Sequence, residues 1–203
     1  MNRIITISRE LGSGGRELGK RLAEALDIAY YDKEIVEALA QKSGLAEEYL
    51  EGISEKRISF YYPITYSNSF SLEPIRYQNN IMAQQNEIIK ELAEKSDCVI
   101  VGRAADVILA DYHPLRIFVY AEMAARIERC RRRDHGHERT DWEYKKFIKA
   151  TDRNRSHYRD LIGDREWGNP LTCDLMVNTT NISIKSIIPG LVAYQEGYFQ
   201  SLK

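Results

Sequence analysis

The residues best suited to chemistry lie near the amino terminus, in the run Gly12-Ser13-Gly14-Gly15-Arg16-Glu17. Glycines in such a run allow a tight turn and leave backbone N–H groups exposed to an anion. A β-branched segment, 4–7, precedes the run, and apolar residues at helical spacing follow it. Strand, glycine turn and helix together predict a cradle for phosphate at the helix N-terminus.

The run departs from the usual phosphate-loop pattern, G-x-x-x-x-G-K-[ST], at three positions. With Gly15 as its second glycine, Glu10 replaces the first glycine, Arg16 the lysine and Glu17 the hydroxyl residue. A phosphate cradle with altered chemistry and a simple tight turn both stay open. Glu17 either binds Mg²⁺ with Ser13 or turns away within the first helical turn, where its charge is favourable. The second geometry is the preferred one.

Two more candidates follow predicted strands. Asp32 comes directly after the strand 28–31, and Arg103 follows Gly102 at the end of the strand 98–101. Ligands of parallel α/β sheets bind at the carboxyl ends of the strands, and the planar guanidinium suits phosphate. Structural roles stay open for both residues, as a helix cap for Asp32 and as an ion pair for Arg103.

The segment from Arg126 to Arg165 carries an excess of basic residues in a chain whose net charge is −1. Its arginines form two clusters, within 129–134 and 152–155, on two predicted helices joined by a loop with Gly136. Such a helical pair at 129–160 could close over a polyphosphate as a lid. A solvated helix face is the alternative.

An aromatic segment at 60–70, with Tyr61, Tyr62 and Tyr66, has no helical period. A loop of this length is usually functional or mobile. Its tyrosines could stack on a base, pack against a partner subunit in a homodimer, or fold into a surface flap. These three interpretations stay open.

Composition excludes several classes of protein. The near-neutral charge of the 203 residues argues against a wholly basic nucleic-acid binder, and the basic helices lack interleaved aromatic residues. No apolar run approaches the roughly 20 residues of a membrane span. No signal-peptide pattern opens the sequence, so a cytoplasmic location is expected. The three widely spaced cysteines predict reduced thiols.

Five short apolar strands alternate with helices along the chain. This alternation predicts an α/β fold with a parallel, doubly wound sheet. The predicted strands cover 4–7, 28–31, 98–101, 115–120 and 174–178.

Five segments, in this order and over nearly the whole length, resemble the cytidylate kinase-like family of P-loop proteins. They are SRELGSGGRELGKRLAEALDIAYYDKEIV, VIVGRAADVIL, RIFVYAEMAARIERCRRRD, DRNRSHYRDLIG and CDLMVNTT. The resemblance implies a single domain, 1–203, with the three-layer fold of P-loop NTPases and a five-stranded parallel sheet. It further implies an acceptor-binding insertion at 44–80 and an arginine-rich helical lid at 129–160.

The resemblance also implies site residues. The phosphates of ATP would lie on Gly12–Arg16, and the acceptor monophosphate would meet Asp32, Arg103 and Tyr62. Asp152 and Arg155 keep the D-x-x-R spacing of the cytidylate kinase lid. The lid cations that would neutralise the transferring group are among Arg131, Arg132, Arg153 and Arg155.

The expected activity is transfer of a phosphoryl group from ATP, with Mg²⁺, to a nucleoside monophosphate, CMP or dCMP first. A kinase of the same fold acting on another small acceptor is one alternative. A nucleotide-binding sensor without transfer is another, and the substitutions at positions 10, 16 and 17 favour it. Paired arginine clusters favour the kinases, because a mere binder needs fewer cations near the γ-phosphate.

Overall fold

The computed structural model describes residues 2–44, 73–134, 139–163 and 166–202. Its strands are β1 (Ile4–Arg9), β2 (Ala29–Tyr31), β3 (Cys98–Val101), β4 (Leu115–Tyr120) and β5 (Leu175–Asn178). Its α-helices are α1 (Gly15–Leu26), α2 (Lys33–Ser43), α3 (Glu73–Lys95), α4 (Ala105–Ile108), α5 (Met123–Arg133), α6 (Asp141–Ile162) and α7 (Ile184–Ser201). Two 3₁₀ turns, Ala110–Tyr112 and Pro170–Thr172, complete the described elements.

The five strands form one parallel sheet in the order β2-β3-β1-β4-β5. In the central strand, Ile5 lies between Val99 and Leu115 on its two neighbours. Helices cover both faces of such a sheet, which explains why its strands are continuous apolar runs. The predicted α/β class with a five-stranded parallel sheet is confirmed.

Alternate residues of β1 enter two cores. Ile5 and Ile7 pack against α1 and α7 on one face, whereas Ile4 packs against α2, α3 and α4 on the other. A strand turns successive side chains to opposite faces, so one short segment nucleates both layers. The three predicted layers follow from this arrangement.

Helices α5 and α6 contact each other through a smaller cluster of Ile127, Tyr144 and Ile148. A capping box begins α6, where Thr140 Oγ1 accepts from Glu143 N–H and the Glu143 carboxylate accepts from Thr140 N–H at 2.7 Å. This helical pair supplies the described part of the predicted lid.

Part of the predicted acceptor insertion, 45–72 with Tyr62, lies outside the described residues. Among the helices that are described, none has the length and apolar content needed to cross a bilayer.

Candidate phosphate and acceptor site

The glycine run lies at the carboxyl end of the central strand β1. Gly12 and Gly14 adopt left-handed backbone conformations, with φ of 78° and 84°, and α1 begins at Gly15. The N-cap, Gly14, offers no side-chain hydrogen bond to the helix. The first-turn N–H groups have no intrahelical partner, so this end of α1 fits a phosphate group.

Close packing gives the glycines a second reason. A Cβ on Gly12 would lie 2.6 Å from the Arg126 carbonyl oxygen, and one on Gly15 would lie 2.5 Å from Arg9 Cβ. A hydrogen bond within the loop also stabilises it, because the buried Ser13 hydroxyl donates to the Glu10 carbonyl at 2.9 Å. Glycine is therefore needed here for the backbone path and for contact with the core.

The predicted cation of the cradle contacts the predicted acceptor residue. The Arg16 guanidinium pairs with the Asp32 carboxylate through Nε and Oδ2, and Nη2 lies 3.4 Å from Oδ1. Asp32 is buried, whereas the Arg16 side chain is half-exposed. The Asp32 side chain makes no capping hydrogen bond to α2, so its carboxylate contacts Arg16 and not the helix end.

Glu17 pairs with Arg21 one turn along α1, at 2.8 Å. With the Ser13 hydroxyl turned to Glu10, the two residues are not brought together as metal ligands. The donor set predicted for Mg²⁺ does not fit a metal in this arrangement. Across the described ranges, no group of three or more His, Cys, Asp or Glu residues is placed to hold a metal ion.

Arg103 lies beside a small cavity at the carboxyl end of β3. The chain turns there through left-handed conformations at Gly102 and Arg103, with φ of 79° and 57°. The guanidinium of Arg9 packs over Gly102, where a Cβ would lie 1.8 Å from Arg9 Nη1. The cavity is lined by Ser8, Arg9, Gly102, Arg103, Ala104, Arg155, Tyr158, Arg159 and Trp167.

Four arginines line this cavity, namely Arg9, Arg103, Arg155 and Arg159, and each of them makes contacts within the protein. Arg159 Nε and Nη2 lie 3.1 and 2.5 Å from the buried Asp106 carboxylate. Arg9 Nη2 lies 4.0 Å from Asp32 Oδ1. A cavity lined by several guanidinium groups suits an anionic ligand.

Arg9 was not among the residues predicted from the sequence. It is the last residue of β1, so the rule that identified the residues after β2 and β3 also applies to it. The structure adds a contact from the lid side, since Arg155 Nη1 donates to the Arg9 carbonyl at 3.2 Å.

The lid arginines separate into two groups. Arg155 lines the cavity. Arg153 is exposed, and its side chain lies about 200° from that of Arg155 around the axis of α6. Arg132 is 74% exposed and pairs with Glu128 along α5 at 2.9 Å. Arg131 pairs with Glu128 and Asp141. Of the predicted lid cations, the structure brings Arg155 alone to the described part of the site.

Asp152 contacts the glycine loop and not the cavity. Its carboxylate accepts from Leu11 N–H at 2.8 Å and pairs with the buried Arg126. Arg129 also contacts the loop, with Nη1 donating to the Gly12 carbonyl at 3.3 Å. Burial lowers the pKa of Arg129. Arg126 and Arg129 were read from sequence only as part of a basic run, which gave no sign of these contacts.

Comparison with known proteins agrees with this arrangement. The model of the cytidylate kinase-like family matches residues 4–181. An uncharacterized protein from Eubacterium ventriosum has a similar structure, with a TM-score of 0.68 and 22% identity, and the match covers 96% of this chain and 99% of that one.

Two kinases share the fold at lower identity. A shikimate kinase from Bacteroides thetaiotaomicron has a TM-score of 0.58 at 15% identity, covering 96% of this chain and 98% of its own. A gluconokinase from Sinorhizobium meliloti has a TM-score of 0.55 at 17% identity, covering 98% and 97%. None of the curated protein sequences matches this chain. Because the family model spans most of its length, the protein belongs to the cytidylate kinase-like family.

Proposed function

We propose that this protein transfers the γ-phosphoryl group of ATP to a small anionic acceptor, with CMP or dCMP as the first candidates. One observation carries the proposal. The N-terminus of α1, with Arg16, and the cavity of Arg9, Arg103 and Arg155 lie at the same carboxyl edge of the sheet. Phosphoryl transfer needs positioning and charge neutralisation more than covalent participation, and this edge supplies both.

The donor would lie on the loop. The first-turn N–H groups of α1 hold its phosphates, and Arg16 grips two of their oxygens after exchanging the Asp32 carboxylate for them. ATP enters as its magnesium complex, so the metal arrives with the substrate. Entry of the metal with ATP agrees with the contacts of Ser13 and Glu17, which bind the Glu10 carbonyl and Arg21 instead of a metal.

The acceptor would lie in the arginine-lined cavity. A nucleoside monophosphate attacks through a phosphate oxygen, which is largely ionised at neutral pH because its second pKa is about 6. No general base is then needed. Arg103 and Arg155 would bind the phosphate of the acceptor and keep it in line with the donor.

A kinase of another small acceptor is the second candidate, and Asp32 favours it. A hydroxyl acceptor needs a base, and Asp32 is a buried carboxylate at the end of β2, linked to Arg16. The two similar kinases named above act on acceptors of this chemical class, hydroxyl compounds that also carry a carboxylate. A sensor without transfer is the third candidate, favoured by the pairing that occupies Arg16.

Release of ADP from magnesium-ATP tests these candidates. The panel of acceptors contains CMP, dCMP, UMP, AMP, GMP, shikimate and gluconate. Turnover with CMP or dCMP supports the first proposal, and turnover with a hydroxy acid alone supports the second. Measurable binding of ATP with no turnover on any acceptor supports the sensor.

A binding-site variant sharpens the assay. Arg103→Ala should raise KM for the true acceptor about tenfold and leave KM for ATP nearly unchanged. Lys185→Ala, an exposed cation on α7, is the control. An equal effect of both variants would remove Arg103 from acceptor binding.

A further inference from the structure

A buried ion pair contacts the glycine loop, and the proposed function gives this pair no role. It joins Arg126 on α5 to Asp152 on α6, with side chains that are 5% and 14% exposed. Taking such a pair out of water is costly, so it persists only where the remaining polar atoms also find partners. The identity of those partners shows what the pair does.

The first partner is the backbone of Leu11, which directly precedes Gly12. Leu11 N–H donates to Asp152 Oδ1 at 2.8 Å, and the Leu11 carbonyl accepts from Arg126 Nε at 2.7 Å. Both backbone polar groups at the loop entrance are thus bound by side chains of two helices. The position of the loop depends on where those helices place the pair.

The second partner is Glu10, which stands where a phosphate loop has its first glycine. Glu10 Oε2 lies 3.1 Å from Arg126 Nη1 and accepts from Ala121 N–H at 3.1 Å. Burial raises the pKa of Glu10, and the charge of Arg126 opposes that rise. The departure from the usual pattern therefore adds the Glu10 carboxylate to the ion pair that holds the loop.

The helix that carries Asp152 also lines the cavity. Asp152 and Arg155 are three residues apart on α6, so their side chains share one face of the helix. Arg155 Nη1 donates to the Arg9 carbonyl at 3.2 Å and lines the cavity with Arg103. One helix face thus contacts the loop at Asp152 and the cavity at Arg155.

We propose that Arg126 and Asp152 are positioning residues that fix the glycine loop relative to Arg155. The pair contacts the loop backbone and does not line the cavity. Its role is to set the distance between the glycine loop and Arg155. This part of the predicted lid is then docked on the loop before any substrate binds. The proposal rests on the proposed function for its kinetic test and on the loop geometry for its binding test.

Asp152→Ala tests the pair, and Asp174→Ala is its matched control. Asp174 is 17% exposed, accepts from Arg116 N–H at 2.8 Å and pairs with the Arg116 guanidinium at 2.7 Å, remote from the loop. Thermal midpoints, titration with a nonhydrolysable ATP analogue and exchange of the Leu11 amide hydrogen are measured for both. We expect similar losses of stability, with analogue binding weakened about fivefold and Leu11 protection lost in Asp152→Ala alone.

Turnover supplies the second test. If Asp152 acts through the placement of Arg155, the double variant Asp152→Ala/Arg155→Ala should lose no more turnover than Arg155→Ala. Losses that multiply, or analogue binding that is unchanged in Asp152→Ala, would overturn the proposal. If Asp152→Ala does not fold, Asp152→Asn replaces it, because its amide oxygen still accepts from Leu11 while Arg126 loses the charge of Asp152 and keeps that of Glu10. Analogue binding and turnover, and not Leu11 exchange, are then the readouts. If no acceptor is turned over, the proposed function fails, and analogue binding with Leu11 exchange still decides on the pair.

Discussion

Arg16 and Asp32 form an ion pair that links the two halves of the candidate site. Arg16 is the cation predicted for the donor phosphates, and Asp32 is the carboxylate predicted for the acceptor. A second arginine, Arg9, approaches the same carboxylate at 4.0 Å. Under the proposed function, the donor phosphates and Asp32 would compete for the Arg16 guanidinium, so binding of ATP would release Asp32 toward the acceptor.

This competition predicts that Asp32→Asn binds ATP more tightly than the native protein. Asparagine keeps the shape of the side chain and removes the charge that holds Arg16. A partly exposed ion pair is worth about 0.2–1 kcal/mol, so the gain in affinity should be about threefold. Calorimetric titration with a nonhydrolysable ATP analogue measures it. Weaker binding in Asp32→Asn would mean that the pair orders Arg16 for phosphate.

Arg16→Ala serves as the opposite variant in the same titration. Loss of a bidentate contact with phosphate should weaken binding of the analogue about tenfold or more. Equal affinity of Arg16→Ala and the native protein would identify the glycine run as a tight turn without a phosphate role.

Helix phase predicts which lid arginine acts. Arg155→Ala should lower turnover at least about tenfold, because removing a cation from the transferring phosphoryl group is costly in this chemistry. Arg153→Ala, on the outer face of the same helix, should keep turnover within about twofold. Steady-state kinetics with circular dichroism as a folding check compares them. A larger loss in Arg153→Ala would contradict the assignment of Arg155 as the lid arginine that acts.

The sequence contained part of this information. Tyr144, Ile148 and Thr151 are buried at helical spacing, and their phase places Arg155 inside and Arg153 outside. The D-x-x-R spacing alone predicts that Asp152 and Arg155 share one helix face. It does not predict which group each side chain contacts. The carboxylate goes to the loop and the arginine to the cavity because the loop entrance lies beside the middle of α6.

Other contacts could not be predicted. The basic run offers many arginines of the same type and similar spacing, and the selection of Arg126 as the buried one depends on packing between α5, α6 and the loop. The apolar strands and the glycine turn, by contrast, are local signals strong enough to give the fold. The shared carboxyl edge then follows from the parallel connections. The strand order β2-β3-β1-β4-β5 comes from the structure alone.

Glu17 provides a test of the metal prediction. Its carboxylate pairs with Arg21 along α1, so Glu17→Gln should leave the Mg²⁺ concentration for half-maximal turnover unchanged. Stability should fall by only about 0.2–0.5 kcal/mol, the usual worth of such a helical pair. Arg21→Gln, which removes the other partner, is the matched control. A rise in the Mg²⁺ requirement in Glu17→Gln alone would identify the Glu17 carboxylate as a metal ligand.

The amino end of the sheet gives a prediction about pH. Asp97, between α3 and β3, accepts from Arg3 N–H at 2.8 Å and from Arg3 Nε at 2.7 Å. Burial alone would raise the pKa of Asp97, but these bonds and the charge of Arg3 outweigh it and lower the pKa below its ordinary value of 3.8. A carboxyl with a lowered pKa stabilises the fold above its unfolded pKa, and that stabilisation is lost as the pH falls through the folded value.

Asp97→Asn removes this contribution, so it should be less stable than the native protein by a constant amount between about pH 5 and pH 7. Below about pH 4 the difference in stability should shrink, because the Asp97 carboxyl becomes protonated and loses the charge that stabilises the fold. Urea unfolding at a series of pH values measures the free energy of unfolding of both proteins. Glu24→Gln is the control, since that exposed carboxylate only approaches Lys20 at 4.0 Å. A difference that stays constant down to about pH 3 would show that the loss of stability does not come from the charge of Asp97.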